Sequence, residues 1–230
     1  MAKELRLIDG KARCPYVSAE FLPMTMGNEM RPAARWGLVL LTTALGASMV
    51  NTHARAETIE RIENYTIAGN SGIELYRSIG ERGPKVGVAR AIAHTNFKLT
   101  WSRKYEPQDD GGCTLVSARP KLIITYTLPK PAGSLPATVK KQWDTFIEGV
   151  RLHEEVHGVH IKEMLAEIET ATIGFSAADD PKCQKVRKAI IPSLSQASVR
   201  QRERSRNFDQ VEMANGGNMH RLILKLVNGE

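Results

Sequence analysis

Three cysteines in 230 residues are too few for a framework of several disulfides. No apolar run reaches the roughly 20 residues that a transmembrane helix needs. The one that comes nearest, Trp36 to Val50, is about 15 residues long. No cysteine follows that run, which argues against a lipoprotein anchor there. Internal repeats and low-complexity tracts are missing as well, so solenoids and biased disordered chains drop out. Charge of one sign is also in short supply. Beyond residue 56 there are 25 Lys and Arg against 21 Asp and Glu, a net of +4. Such a balance does not point to nucleic acid. Arg200, Arg202, Arg204 and Arg206 alternate with Glu203 and polar residues, which reads as a solvated helix face.

What is present begins with an address. Arg31 and Arg35 precede the apolar run, and Ala54-Arg55-Ala56 follows it. These are the basic, apolar and small-x-small regions of a secretory signal peptide. Counting from Met30 gives a leader of ordinary length, so residues 1–29 are read as lying upstream of the true start. The expected layout is an N-terminal extension and signal peptide over 1–56 and a single domain over 57–230. No stable membrane span is expected after cleavage, and the expected location is periplasmic or secreted. Cys14 leaves with the leader. Cys113 and Cys183 remain as an even pair in an oxidising compartment and are expected to form a disulfide.

His153-Glu154-Glu155-Val156-His157 spells H-E-x-x-H. With 6 His in the chain, chance supplies such a string in roughly one chain in a hundred of this length. The flanks therefore matter. Val139, Trp143, Phe146, Ile147 and Val150 lead into the string, and Ile161, Met164, Leu165 and Ile168 follow it. Steps of three and four mark one stripe of an amphipathic helix, running from about Pro136 to Thr172. His153, His157 and His160 continue that stripe, so the imidazoles face inward. Residues i and i+4 on a helix share a face, and two imidazoles there can converge on one zinc ion. Glu154 can accept a proton from water activated at that ion without being a ligand. The competing reading is a buried structural helix with satisfied core histidines. Three His and two Glu within eight residues are hard to bury that way.

A catalytic zinc takes three protein ligands and one open position. His160 is a poor third, because the helix rises about 10 Å from His153 to His160. Ligand atoms around zinc sit only about 3–3.5 Å apart. A second helix supplies the remaining candidates: Asp209 first, then Glu203, Glu212 and His220. His94, at the end of a strand, is expected to be structural.

The rest of the domain reads as α+β. Ile62 to Ala68 is a strand, and Asn70-Ser71-Gly72 opens a short helix that stops at Gly83-Pro84. Ala89 to Trp101 and the stretch with Leu122, Ile124, Tyr126 and Leu128 read as an antiparallel hairpin across a polar turn at 106–112. Gly158, after the second motif histidine, allows close approach of another element. Asp179-Asp180-Pro181 breaks the chain before a second helix with Val186, Ile190, Leu194 and Ala197, which Pro192 kinks or splits. Leu222, Leu224 and Leu226 alternate in the tail, as in a last strand or an ordered arm. The expected whole is a small antiparallel sheet packed on two long helices, the first carrying the motif.

Several of these residues, taken in order, resemble a bacterial family of predicted secreted zinc-dependent proteases, long described as a domain of unknown function. They are Tyr65 and Gly69, a short helix ending Arg82-Gly83-Pro84, Trp101, Cys113, Tyr126-Thr127-Leu128-Pro129, Trp143, and the H-E-x-x-H string. The resemblance spans roughly residues 60 to 210. It implies a zincin-like fold and metal-dependent hydrolysis of peptide bonds in a peptide or protein substrate. The family pattern continues with Tyr-Asp and then a Thr-x-His-Gly element. Phe208-Asp209 stands at the first, whereas Glu212, Ala214 and Asn215 occupy the second without a histidine. The functional expectation is an exported zinc metallopeptidase, with Glu154 catalytic and His153, His157 and Asp209 holding Zn2+. In it, Trp101 or Tyr126 marks a strand that aligns substrate by edge pairing, and Tyr126 or His160 stabilises the oxyanion. The alternatives are a non-catalytic zinc-binding or degenerate-peptidase envelope protein that binds peptide or cell wall, and a structural protein with a coincidental motif.

Overall fold

The N-terminal strand β1, Glu57–Ile67, runs into a helix, α1, Gly72–Arg82. The helix starts where the local chemistry says it should. Ser71 Oγ accepts from the Glu74 N–H, and Glu74 Oε2 accepts from the Asn70 N–H at 2.7 Å, so two orphan donors are satisfied. Leu75 and Ile79 are its buried face. The computed structural model describes residues 57–229. All of them belong to one compact unit, Asn51–Glu230. The expected leader, residues 1–56, lies outside the described residues.

Two short strands, β2 (Lys85–Val86) and β3 (Ala89–Arg90), form a separate hairpin, so the strand expected from Ala89 is interrupted. The long hairpin is β4, His94–Pro107, and β5, Cys113–Pro131. They pair antiparallel from His94 opposite Thr127 to Pro107 opposite Cys113, across the expected polar turn. β5 is the central strand, with β1 on its other side and β6, Ser176–Ala177, at its start. Three prolines in β5 fit this arrangement. Pro120 lies before β1 begins to pair at Lys121, and Pro129 and Pro131 lie beyond the start of β4. Each sits where the strand has one paired neighbour rather than two.

The expectation of an all-antiparallel sheet is corrected here. β1 runs parallel to β5, from Glu57 opposite Lys121 to Ile67 opposite Pro131. The reason is connectivity: α1, β2, β3 and β4 all intervene, which gives the chain the long crossover a parallel neighbour requires. The sheet is therefore mixed.

Helix α2, Ala137–Thr172, matches the expected span. Its buried stripe runs Trp143, Phe146, Val150, Glu154, Gly158, Ile161, Leu165 and Ile168. These side chains meet Leu122, Ile124, Tyr126 and Leu128 of β5 in one core. At Gly158 the Tyr126 hydroxyl occupies the space a Cβ would need. That hydroxyl donates to Glu60 Oε2 at 2.5 Å, and Lys162 Nζ donates to Glu60 Oε1 at 2.7 Å, which ties β1, β5 and α2 together.

After α2 come α3, Gln184–Ala189, and α4, Ile191–Met213. The break expected at Pro192 is present, with Pro192 in the first turn of α4, where its missing N–H costs nothing. The tail is not a strand. It forms a helix, α5, Asn218–Asn228. Met219 and Leu226 are buried and Leu222 and Ile223 half-buried, whereas Leu224 is exposed. Burial thus follows the helical period rather than the leucine alternation. The whole is a mixed α/β arrangement: a small sheet, with α2, α4 and α5 packed beside it. Cys113 and Cys183 form the expected disulfide, with Cα atoms 5.3 Å apart. Among the described residues no helix is long and apolar enough to cross a membrane.

Candidate metal centre

Helix α4 lies alongside α2 in the opposite sense, and side chains along the seam fix the register. Arg200 Nε and Arg204 Nη1 donate to Glu167 at 3.0 and 2.8 Å. Further along, His160 Nδ1 lies 3.2 Å from Ser205 Oγ, which accepts from Gln201 Nε2 at 3.1 Å. One turn beyond, Phe208 packs its ring 4.7 Å from that of His153 in a stacked arrangement and 5.6 Å from that of His157. This holds both imidazoles and delivers Asp209 between them.

His153 Nε2 and His157 Nε2 are 3.2 Å apart. Asp209 Oδ1 lies 3.1 Å from the first and 2.9 Å from the second. The edges of this triangle are close to the spacing of about 3.3 Å that a tetrahedral ion at bond lengths near 2.05 Å imposes on its ligands. The imidazoles are largely shielded, at 9% and 13% side-chain exposure, whereas Asp209 is about half exposed, at 48%. Three lone pairs converging in this way repel one another until protons or a cation come between them. The group is therefore one that could hold a metal ion.

The electrostatics agree. Burial pushes the Asp209 carboxyl up, but the facing imidazoles outweigh it and hold the group well below the usual carboxylate range. Burial pulls the His157 imidazole down, yet Asp209 and then Glu154 leave it above its ordinary value. His160 falls below its ordinary value, through burial and then the charge on His157.

Glu154 is buried, at 5% exposure. Its Oε2 accepts from Thr95 Oγ1 at 2.6 Å, and its own carbonyl lies 3.1 Å from the same hydroxyl. The short hydrogen bond from Thr95 holds this buried carboxyl group in place. It opens on the same cleft as His153, His157 and Asp209, a cavity of about 730 Å³. β4 forms one wall through His94, Thr95, Asn96 and Phe97, and α4 forms the facing wall through Arg202, Arg206, Asp209 and Met213.

Thus the structure brings together His153, Glu154, His157 and Asp209. It leaves out the other candidates for the third ligand. His160 is held by Ser205. His220 Nδ1 accepts from the Gly216 N–H at 3.2 Å. Glu203 is exposed on the far side of α4. Glu212 Oε2 stands 3.8 Å from His153 Nδ1, behind the ring rather than at the converging atoms. One further expectation needs correction. Tyr126 does not line the cleft, because its hydroxyl is committed to Glu60 under Gly158. His94, expected to be structural, stands in the cleft wall. Neighbouring Glu155 pairs with Arg151 on the surface. Thr95 escaped the sequence reading, although it shares the inward face of Phe97, Leu99 and Trp101.

These features define a mixed α/β domain with a His–His–Asp group at the seam of two helices. The chain belongs to the family described as "Bacterial protein of unknown function (DUF922)", whose profile matches residues 62–217. No curated protein and no solved structure matches the chain significantly.

Proposed function

We propose that this protein is an exported zinc metallopeptidase with a zincin-like active site. The observation that carries the reading is the convergence of His153, His157 and Asp209 on a cleft that also holds the buried carboxylate of Glu154. Two imidazoles and one carboxylate are one of the ligand sets that hold a catalytic zinc, and the half-exposed Asp209 leaves the cleft side open. Zinc, when bound, would supply a Lewis acid that lowers the pKa of a water from 15.7 towards about 7.

The chain's own residues then do the following. Glu154 accepts a proton from the attacking water and passes it to the leaving amine as the peptide bond breaks. Thr95 fixes the Glu154 carboxylate, and Phe208 fixes the two imidazoles. The outer edge of β4 is unpaired among the described residues, and its His94–Phe97 stretch borders the cleft. An extended peptide can add to that edge by main-chain hydrogen bonds. Export is supported by the signal-like segment before residue 57 and by the disulfide, which is compatible with an oxidising compartment.

The test is metal analysis of the purified protein together with cleavage of a denatured protein. Stoichiometric zinc and chelator-sensitive cleavage are expected. Glu154→Gln should keep its zinc and lose turnover by about a hundredfold or more. Zinc without turnover in the wild-type protein would move the reading to a non-catalytic binder. Absence of stoichiometric zinc would remove it.

A further inference from the structure

The four alternating arginines of α4 do not form one face. Successive helical residues turn by about 100°, so a step of two places neighbours on opposite sides. Arg200 and Arg204 point to α2 and pair with Glu167. Arg202 and Arg206 line the cleft instead, on one stripe with Asp209 at positions i, i+4 and i+7. Arg90, from β3, lines the same cleft. Among the described residues none of these three has a carboxylate partner. Arg202 Nη1 donates to Ser198 Oγ at 2.6 Å and Arg90 Nη1 to the Gly83 carbonyl at 2.6 Å, contacts that anchor the guanidinium groups without neutralising them. Among the described residues the only carboxylates lining the cleft are Glu154 and Asp209, which the site itself uses.

We infer that the cleft selects peptides carrying a carboxylate close to the scissile bond, bound by Arg206 and Arg202. This rests on the peptidase reading for the position of the bond but not for the binding. Along α4, Arg206 is about 4.5 Å and Arg202 about 10.5 Å from Asp209. At about 3.4 Å per extended residue, these offsets correspond to acidic groups about one and three residues away. A guanidinium recognises a carboxylate through paired N–H donors, whether it comes from an Asp or Glu side chain or from a C-terminus.

The experiment measures binding of fluorescent peptides to the zinc-loaded Glu154→Gln protein, which requires no turnover. The peptides come in sets: Glu or Gln one and three residues from the centre, each with a free or amidated C-terminus. The expected result is about tenfold tighter binding of the acidic peptide, weakening steeply with salt. The preference should shrink to within about twofold in R202Q/R206Q and persist in R200Q, whose arginine lies outside the cleft. Loss of the preference on amidation alone assigns the carboxylate to a C-terminus, and its persistence assigns it to side chains. Equal binding of acidic and neutral peptides, or a preference unchanged in R202Q/R206Q, overturns the inference. Should the double variant fail to fold, R206Q alone is read against the same peptides. Failure of cleavage in the wild-type protein with the peptide preference intact would count against the peptidase reading only.

Discussion

At Asp209 two imidazole nitrogens and one carboxylate oxygen meet within 3.2 Å, and Asp209 and His157 each change the protonation of the other. The His157 pKa lies above its ordinary value. Its contribution to stability is therefore complete below about pH 6.5 and is lost as pH rises through the raised value. The Asp209 pKa lies below its ordinary value. Its contribution is present above about pH 3.9 and is lost as pH falls. His160, held below its ordinary value, adds stability as pH rises towards about 6.5, so the three groups place the metal-free optimum near pH 6.5, with the melting temperature falling towards pH 8. Zinc competes with protons for His157, so the rise in melting temperature on adding zinc should grow over the same interval. Calorimetry with chelator and with zinc reads both trends, and a metal-free melting temperature that climbs from pH 6 to 8 would contradict the assignment. Asp209→Asn keeps the shape but loses the charge, and zinc affinity by competition titration should drop by more than about a hundredfold. Thr95→Val removes the one side-chain donor to Glu154 among the described residues. Turnover should fall about tenfold with zinc content unchanged, the loss expected for one hydrogen bond to a charged group.

Elements here approach one another through glycines, and two of them in α1 behave oppositely. A Cβ on Gly72 would collide with the backbone carbonyl of Leu226 in α5, whereas one on Gly80 would meet nothing. Gly72→Ala should therefore destabilise by about 1–3 kcal/mol, since backbone cannot rotate away. Gly80→Ala should stabilise by about 0.5–1 kcal/mol through helix propensity alone. Urea denaturation of the two variants gives the comparison, and a stabilised Gly72→Ala would show that α5 does not seat on α1 as described. At this scale the motif helix was legible from its apolar stripe, down to ends at Ala137 and Thr172. The tail was not, because three alternating leucines mimic a strand. Burial of Met219 and Leu226 against α1 and α2 decides for the helix.

For the molecule as a whole, the disulfide ties the start of β5 to the entry of α3 and encloses the entire motif helix in a loop of 70 residues. Replacing both cysteines by alanine should lower the free energy of unfolding by about 4 kcal/mol in a chain-entropy account, read from denaturant titration with and without reductant. A change under 1 kcal/mol would mean that the hairpin and helices hold without it. The sequence by itself determined the helix that carries His153, Glu154 and His157, their inward orientation and the pairing of the two cysteines. Those are matters of local period and of counting. Only the tertiary structure decided that β1 lies parallel to β5, that Asp209 rather than Glu212, His220 or His160 meets the imidazoles, and that Arg202 and Arg206 share the cleft. The last two depend on how far α4 slides along α2. That register is set by contacts such as Glu167 with Arg204 and His160 with Ser205, between residues about 40 apart in the chain, which no short-range pattern encodes.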